Sequence, residues 1–333
     1  MKKRWQRGGL LVLACMLGLG AGHADVLPPY FAHMTLESGA KLRIASWKGA
    51  PLKHRQTTIV FMQGRASFVE KNKEVMESLA KLGFDVETFD WIGQGGSTRL
   101  IANSQKGYID DFYTYLTSFH EYMQRHVKPR ASSKVVLLGV SMGGHLALRY
   151  VKEHPGMVDG VILVSPMIDV VTKPYPKVVA RFLSAFAHYM GAGKMYAFGY
   201  GDYDPKKAVF TLNKETQDPK RFDQMQQTMR AHPHFVTGGP TFGWVYAAYE
   251  SMDKTNNPAY LATIKEPMLF ISAGLDRVVD TQRDRETCAL IPHCRYKLYP
   301  KAFHNIPLET DEIRDLFLAH VDTFAKSVEE GLS

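Results

Sequence analysis

The sequence predicts an α/β fold: a mostly parallel sheet with helices on both faces. Short apolar runs such as residues 135–138 and 161–164 alternate with segments whose apolar residues recur at helical spacing. Only strands buried on both sides dispense with alternating polar residues, and parallel sheets covered by helices contain such strands. Apolar residues make up 45% of the 333-residue chain and charged residues 22%, which excludes a disordered or collagen-like chain.

Turn and cap signals place the individual elements. Ser38, Gly39 and Ala40 separate two alternating runs and indicate a β-hairpin. Ser67, with Glu70 three residues later, is typical of a capping box and predicts a helix that starts near residue 68. The predicted strands are 34–37, 41–47, 57–62, 84–89, 135–138, 161–164, 268–271 and 296–299. The predicted helices are 68–82, 109–123, 142–151 and 311–325.

The alternation of strands and helices stops between residues 168 and 266. This stretch is rich in aromatic residues at helical spacing and has no β-rich run, so we interpret it as an inserted helical cap. The α/β core then consists of residues 25–167 and 267–333. Phe182, Phe186 and Trp244 in the cap are candidates for an acyl-binding pocket, although aromatic residues at this spacing are more often core.

The first 24 residues have the pattern of a secretory signal peptide. An uninterrupted apolar and glycine run follows a basic start, and small residues precede a cleavage site after Ala24. The basic residues are Lys2, Lys3, Arg4 and Arg7. We therefore expect secretion across the inner membrane to the periplasm. A membrane anchor needs about 20 apolar residues, more than this run offers, and a lipoprotein anchored at Cys15 is a further alternative.

Charge does not favour nucleic acid as a partner. The formal net charge is +8, but four basic side chains leave with the signal peptide, so the remaining chain carries +4. The remaining basic residues are dispersed, and no basic and aromatic stripe is present.

Secretion also changes the interpretation of the cysteines. Once Cys15 is removed, Cys288 and Cys294 form an even pair in an oxidising compartment, which favours a disulfide. Two buried thiols are the alternative.

A candidate nucleophile stands between a predicted strand and a predicted helix. The segment Gly139-Val140-Ser141-Met142-Gly143 has the pattern of a nucleophile elbow, in which a tight turn with strained backbone angles exposes the serine hydroxyl. Residues without side chains on either side make room for that turn. The alternative is a glycine-rich packing turn, but the strand and helix context favours a nucleophile.

A serine nucleophile needs a histidine base and a carboxylate that orients it, and in this architecture the acid precedes the histidine in sequence. Asp276 directly follows the strand at 268–271, and His304 lies in a loop after the last strand. Asp280 and Asp284 are rival acids, although they fit the first turns of a helix. The alternative histidines are His145, His293 and His320.

An ester hydrolase of this kind also needs an oxyanion hole made of backbone donors. The N–H of Met142 directly follows the nucleophile, and the N–H of Arg65 lies in the loop after the strand at 57–62. The Arg65 side chain itself is either a surface cation or a group that holds a lipid phosphate.

Several stretches, in this order and spacing, resemble the α/β-hydrolase superfamily, specifically its bacterial lysophospholipase and monoacylglycerol lipase branch. They are Gly64-Arg65 with Phe68 and Glu70-Lys71, Asp90-Trp91 with Gly93-Gln94-Gly95 and Ser97, Ser141-Met142-Gly143-Gly144-His145, and Gly238-Gly239-Pro240-Thr241 with Gly243-Trp244. The resemblance implies an α/β-hydrolase fold with Ser141, Asp276 and His304 as the triad. Three positions depart from the pattern of the superfamily: Gln63 and Val140, where His is frequent, and Ile92, where Arg is usual.

The candidate triad predicts a serine hydrolase. The resemblance, together with the aromatic composition of the cap, implies that it cleaves carboxylic esters, with a lysophospholipid or monoacylglycerol as substrate. No cofactor and no metal are implied, and the cap is a candidate for transient contact with a membrane surface. The alternatives are a binding protein that keeps the fold without turnover, an acyltransferase, and an aminopeptidase of the same fold. An aminopeptidase would need an acidic cluster in the cap, which the sequence does not provide.

Overall fold

The computed structural model describes residues 29–51, 55–131, 133–172 and 176–332. The predicted signal peptide, with Cys15, lies outside these residues. In the described part, one eight-stranded sheet has the order β1-β2-β4-β3-β5-β6-β7-β8. Its strands are β1 (Tyr30–Thr35), β2 (Lys41–Trp47), β3 (Thr57–Met62), β4 (Asp85–Phe89), β5 (Lys134–Val140), β6 (Gly160–Val164), β7 (Met268–Ala273) and β8 (Cys294–Tyr299).

Six of these strands are parallel. From β4 through β3, β5, β6 and β7 to β8, every neighbouring pair runs in the same direction. The hairpin of β1 and β2 adds two antiparallel strands at one edge. The carboxyl ends of β3, β5 and β7 therefore lie along one edge of the sheet, where such folds place their functional loops.

Helices cover both faces of the sheet. One apolar core contains residues of α2, α3, α6 and α8, and a second core contains residues of α1 and α9 on the opposite side. This arrangement confirms the predicted α/β class with its two covered faces. The helices are α1 (Lys73–Lys81), α2 (Phe112–Tyr122), α3 (Met142–Glu153), α4 (Lys177–Ala187), α5 (Pro219–Ala231), α6 (Phe242–Thr255), α7 (Pro258–Leu261), α8 (Thr281–Ala289) and α9 (Asp311–Glu329).

The predicted capping box at Ser67 and Glu70 does not form. A 3-10 turn occupies Val69–Asn72, and α1 begins only at Lys73. The Ser67 hydroxyl instead accepts a hydrogen bond from the Asn72 side chain at 2.9 Å, and the Glu70 carboxylate binds Arg43. Both side chains that the pattern assigned to the helix start thus have other partners: a nearby one for Ser67 and a distant one for Glu70.

The chain between β6 and β7 is helical in the described residues. Helices α4 to α7 lie in this interval, and α4 packs mainly against α6. No helix in the described part is both long and apolar enough to span a membrane. The boundaries of the cap at residues 168 and 266 stay a prediction.

A disulfide joins Cys288, near the end of α8, to Cys294 at the start of β8. The two Cα atoms lie 5.4 Å apart, and the bridge closes a short loop at the end of the sheet opposite the carboxyl ends of its strands. The structure therefore contains the disulfide and not two buried thiols.

Candidate active site

Ser141 lies on a strained turn between β5 and α3. Its φ is 56° and its ψ is −118°, a backbone conformation that residues other than glycine rarely adopt. A Cβ atom on Gly143 would overlap the Met62 carbonyl at the end of β3, and one on Gly139 would overlap Gly143. The two glycines are therefore required because the first turn of α3 packs directly on the ends of two strands.

His304 and Asp276 meet at the same edge of the sheet. His304 Nδ1 lies 2.7 Å from Asp276 Oδ2, and both side chains are almost completely buried. The other carboxylate oxygen, Oδ1, accepts hydrogen bonds from the Val278 and Val279 amides at 2.7 and 3.0 Å. The carboxylate is thus held by its own loop and fixes which nitrogen of the imidazole faces it.

A segment between α4 and α5 supports the histidine loop. The His304 amide donates to the Lys214 carbonyl oxygen at 3.3 Å, and the Asn305 amide donates to the Glu215 carbonyl oxygen at 2.8 Å. These backbone bonds place the Glu215 side chain near the imidazole, and its charge helps to raise the pKa of His304.

Two opposing effects set the pKa of His304. Burial lowers it, because a charged imidazole loses hydration, whereas the hydrogen bond and the charge of Asp276 raise it. The carboxylate prevails, so the pKa lies above its ordinary value of 6.5. The arrangement therefore stabilises an imidazolium, which is the state that a general base reaches after it accepts a proton.

Ser141 and His304 line one cavity of about 350 Å³. Apolar side chains from α5 form part of its wall, and charged side chains lie near the serine. Charged, polar and apolar side chains all line the cavity. They include Arg65, Lys71, Val140, Ser141, Lys207, Val209, Leu212, Glu215, Phe222, Met225, Met229, Val278, His304 and Asn305.

The amides of Met142 and Arg65 belong to segments that adjoin Ser141. Met142 is the first residue of α3, where amides have no acceptor within the helix and the helix dipole favours negative charge. Gly64, which precedes Arg65, approaches so closely that a Cβ on it would lie 3.4 Å from the Cβ of Ser141. The loop that carries the Arg65 amide therefore adjoins the serine.

A buried polar network holds this loop in place. The Gln63 side chain donates to the Phe89 carbonyl oxygen at 2.6 Å and to Asp90 Oδ1 at 2.9 Å, and it accepts from Asn72 at 3.0 Å. Asp90 also accepts from the amide of Val69 at 2.9 Å. Gln63, where the superfamily often has His, thus fixes the loop.

Apart from its place in the family resemblance, the role of Asp90 in this network could not be predicted from the sequence, because its partners are distant along the chain. The one local signal is Gly95, where a Cβ would overlap the Asp90 carboxylate. Lys71 and Glu215 also line the cavity, and nothing near them in the sequence indicated this.

The rival acids and bases have other partners. Asp280 caps α8 by accepting from the Gln282 amide, and Asp284 accepts from the Ser272 hydroxyl at 2.8 Å. His145 is buried against the Ser251 hydroxyl at 2.6 Å, and burial lowers its pKa to about 3. The remaining two histidines lie elsewhere: His320 contacts the Tyr299 hydroxyl, and His293 is exposed.

The three residues predicted to bind the acyl chain are not among the residues that line this cavity. Phe182 and Phe186 stack on each other on α4 and are 66% and 56% exposed. Trp244 is buried, and its indole N–H donates to the Tyr115 hydroxyl at 3.2 Å. The apolar wall of the cavity comes instead from Phe222, Met225 and Met229 on α5.

No group of three or more His, Cys, Asp or Glu side chains in the described residues is arranged to hold a metal ion.

The chain is similar to lysophospholipases of two bacteria. The chain is 29% identical over 281 residues to lysophospholipase L2 of Escherichia coli, covering 82% of this chain and 81% of that protein. It is 28% identical over 266 residues to a probable lysophospholipase L2 of Haemophilus influenzae, covering 80% and 82%.

Similar solved structures include a soluble variant of the monoglyceride lipase of Saccharomyces cerevisiae in complex with a substrate analog. The TM-score is 0.74 at 18% identity, covering 92% of this chain and 97% of that one, which shows a shared fold. The model of the hydrolase family described as serine aminopeptidase, S33, matches residues 53–311. The chain therefore belongs to the serine aminopeptidase S33 family and has the α/β-hydrolase fold.

Proposed function

We propose that Ser141, His304 and Asp276 are the catalytic triad of this carboxylic ester hydrolase. The observation that carries the proposal is the 2.7 Å hydrogen bond between His304 and Asp276 at the cavity that Ser141 also lines. The strained φ of Ser141 supports it, because such strain concentrates at functional residues.

The reaction has two halves. His304 takes the hydroxyl proton as Ser141 attacks the ester carbonyl, and the imidazolium then gives that proton to the leaving alcohol. Water, deprotonated by the same imidazole, hydrolyses the resulting acyl-enzyme. Asp276 stabilises the imidazolium in both halves.

The amides of Met142 and Arg65 bind the oxyanion of each tetrahedral intermediate. The start of α3 supplies one donor together with its dipole, and the loop fixed by Gln63 supplies the other. Each such donor contributes about 3–4 kcal/mol to stabilisation of the transition state in enzymes of this kind.

The substrate is the acyl ester of a lysophospholipid or a monoacylglycerol. The relatives named lysophospholipase support this assignment, and so does the apolar wall formed by Phe222, Met225 and Met229, which suits an acyl chain. An aminopeptidase would need carboxylates for the substrate amine. In the described lining, Glu215 is the single carboxylate and faces three basic residues, Arg65, Lys71 and Lys207.

Covalent labelling tests the nucleophile. We expect a fluorophosphonate to label the wild type, and Ser141→Ala to abolish labelling and to lower kcat on a short-chain ester by roughly 10⁵-fold. Ser67→Ala is the matched control, since Ser67 lines the same cavity, and it should still be labelled.

A folded wild type that is not labelled would instead support a binding protein without turnover. Product analysis in the presence of an alcohol acceptor separates hydrolysis from acyl transfer. Transfer products that dominate at low acceptor concentration would contradict hydrolysis as the main reaction.

The cap contacts a membrane surface transiently in this proposal. Large apolar side chains are 56–74% exposed on or next to α4, and their exposure to water is unfavourable. They are Phe182, Phe186, Tyr189 and Met190. We expect Phe182→Ser with Phe186→Ser to weaken sedimentation with phosphatidylglycerol vesicles, without loss of activity on a soluble ester. Unchanged sedimentation would remove this part of the proposal.

The protein acts in the periplasm in this proposal, with residues 1–24 as its signal peptide. The disulfide between Cys288 and Cys294 supports an oxidising compartment. Fractionation of cells and the N-terminal sequence of the mature protein test it, and a lipid on Cys15 would be the alternative outcome.

A further inference from the structure

Two basic side chains line the catalytic cavity without a carboxylate partner. Arg65 Nη1 donates to the Gly238 carbonyl oxygen at 2.9 Å, and Lys71 Nζ donates to the Ala66 carbonyl oxygen at 3.3 Å. Within the described part of the chain, neither forms a salt bridge with an aspartate or a glutamate. Because arginine has five N–H donors and lysine three, these two bonds use only part of their capacity.

Burial makes both charges costly. It is the main effect that lowers the pKa of Arg65 and that of Lys71. Tyr200, Tyr115 and Glu215 only partly oppose it at Arg65, and Glu215 only partly opposes it at Lys71. A cation that loses hydration without gaining a counter-ion destabilises the folded protein. Two such cations beside a reactive serine are better explained by an anion that binds there.

The charge of the cavity favours an anion as well. Arg65, Lys71 and Lys207 line it, and Glu215 is the one carboxylate among the described lining residues. Lys207 is 86% exposed and lies 3.9 Å from Asp204, so solvent already screens it. The two partly buried cations therefore outnumber the one carboxylate among the described lining residues.

Arg65 lies on the loop that adjoins Ser141, and Lys71 lies in the 3-10 turn that follows this loop. Arg65 directly follows Gly64, where a Cβ would lie 3.4 Å from the Cβ of Ser141, and Lys71 is bonded to Ala66 of the same loop. In a lysophospholipid, only the glycerol carbons and their ester oxygens separate the acyl carbonyl from the phosphate. A monoacylglycerol presents a neutral hydroxyl at the same position.

We propose that the side chains of Arg65 and Lys71 bind the phosphate of a lysophospholipid headgroup while Ser141 attacks the acyl carbonyl. The inference rests on the function proposed above and adds the basis of substrate choice. The planar guanidinium suits two oxygens of one phosphate, and the ammonium acts as a point charge. The cavity then selects phosphate-bearing substrates over neutral glycerides.

The test compares lysophosphatidylglycerol with a monoacylglycerol of the same chain, each below its critical micelle concentration. We expect Lys71→Met to lower the ratio of their kcat/KM values by about tenfold to a hundredfold, the usual loss for a hydrogen bond to a charged group. Lys71→Arg keeps the charge and should retain most of the ratio.

Lys73→Met is the matched control, because Lys73 is 58% exposed and pairs with Glu77 on the surface of α1. It should leave the ratio unchanged. An unchanged ratio in Lys71→Met would overturn the proposal. So would an equal loss on both substrates in a folded variant, because Lys71 would then act only on the structure of the loop.

Ether lipids test the same subsite in the wild type, in case Lys71→Met does not fold. We expect a 1-O-alkylglycerol 3-phosphate to raise the thermal midpoint and to compete with substrate at least about tenfold more tightly than the matching 1-O-alkylglycerol. Equal binding of the two would overturn the phosphate subsite. If the protein binds the phosphate lipid preferentially but hydrolyses no ester, the proposed function is refuted and the phosphate subsite is not.

Discussion

Two cavities lie on either side of Lys71, and they differ in how their charges are paired. In the neighbouring cavity, of about 400 Å³, Arg221 binds Glu74 at 2.8 Å, Asp218 at 3.0 Å and Asp311 at 2.6 Å. In the cavity that Ser141 lines, Arg65 and Lys71 donate hydrogen bonds to carbonyl oxygens, and neither forms a salt bridge with a carboxylate of the described residues. The carboxylates raise the pKa of Arg221, whereas burial lowers the pKa of Arg65.

The comparison distinguishes two roles of partly buried cations. A cation that carboxylates surround, such as Arg221, joins elements of the protein and has little capacity left for a ligand. A cation that the protein leaves without a counter-ion is available to a substrate. We therefore expect changes in the neighbouring cavity to alter stability, and changes in the catalytic cavity to alter activity.

The largest expected effect is on Asp276, the carboxylate of the proposed triad. Asp276→Asn should lower kcat by about 10⁴-fold, because an amide favours the wrong imidazole tautomer and does not stabilise the imidazolium. Hydrolysis of a p-nitrophenyl ester measures it. Asp280→Asn changes the rival acid and should alter kcat less than twofold, so a larger loss there would reassign the acid.

The neighbouring cavity should respond in stability. Arg221→Met removes charged hydrogen bonds to partly buried carboxylates and should lower the free energy of unfolding by about 1–3 kcal/mol, measured by urea denaturation. Lys220→Met, an exposed neighbour, is the control. A loss of kcat/KM on lysophospholipid in Arg221→Met, in the folded protein, would abolish the distinction between the cavities.

The smallest effect concerns the pH profile. In the proposed mechanism activity requires neutral His304, so we expect kcat/KM to fall as pH decreases through the pKa of His304, which lies above 6.5 in the wild type. Because the charge of Glu215 raises that pKa, Glu215→Gln should move the acid limb to lower pH by a fraction of a unit. Glu312→Gln, an exposed carboxylate on α9, should leave the limb in place.

Elements with continuous patterns could be predicted from the sequence. The apolar runs at 135–138 and 268–271 predict the strands β5 and β7. Their position along the chain indicates that the carboxyl ends of both strands lie at the same edge of the sheet. The start of α1 could not be predicted, because Asp90 and Arg43 compete for the groups that a capping box would use. Local pattern fails where a distant partner makes the stronger hydrogen bond.

The sequence by itself predicted the order of the strands, the tight turn at Ser141, and Asp276 and His304 as candidates ahead of their rivals, since each depends on a local pattern and on the chain order typical of the architecture. Only the tertiary structure decided that Met225, not Phe182, lines the cavity, and that Lys71 has no counter-ion among the described residues. The physical reason is that burial and charge pairing are set by contacts between residues far apart in the chain, which no local pattern records.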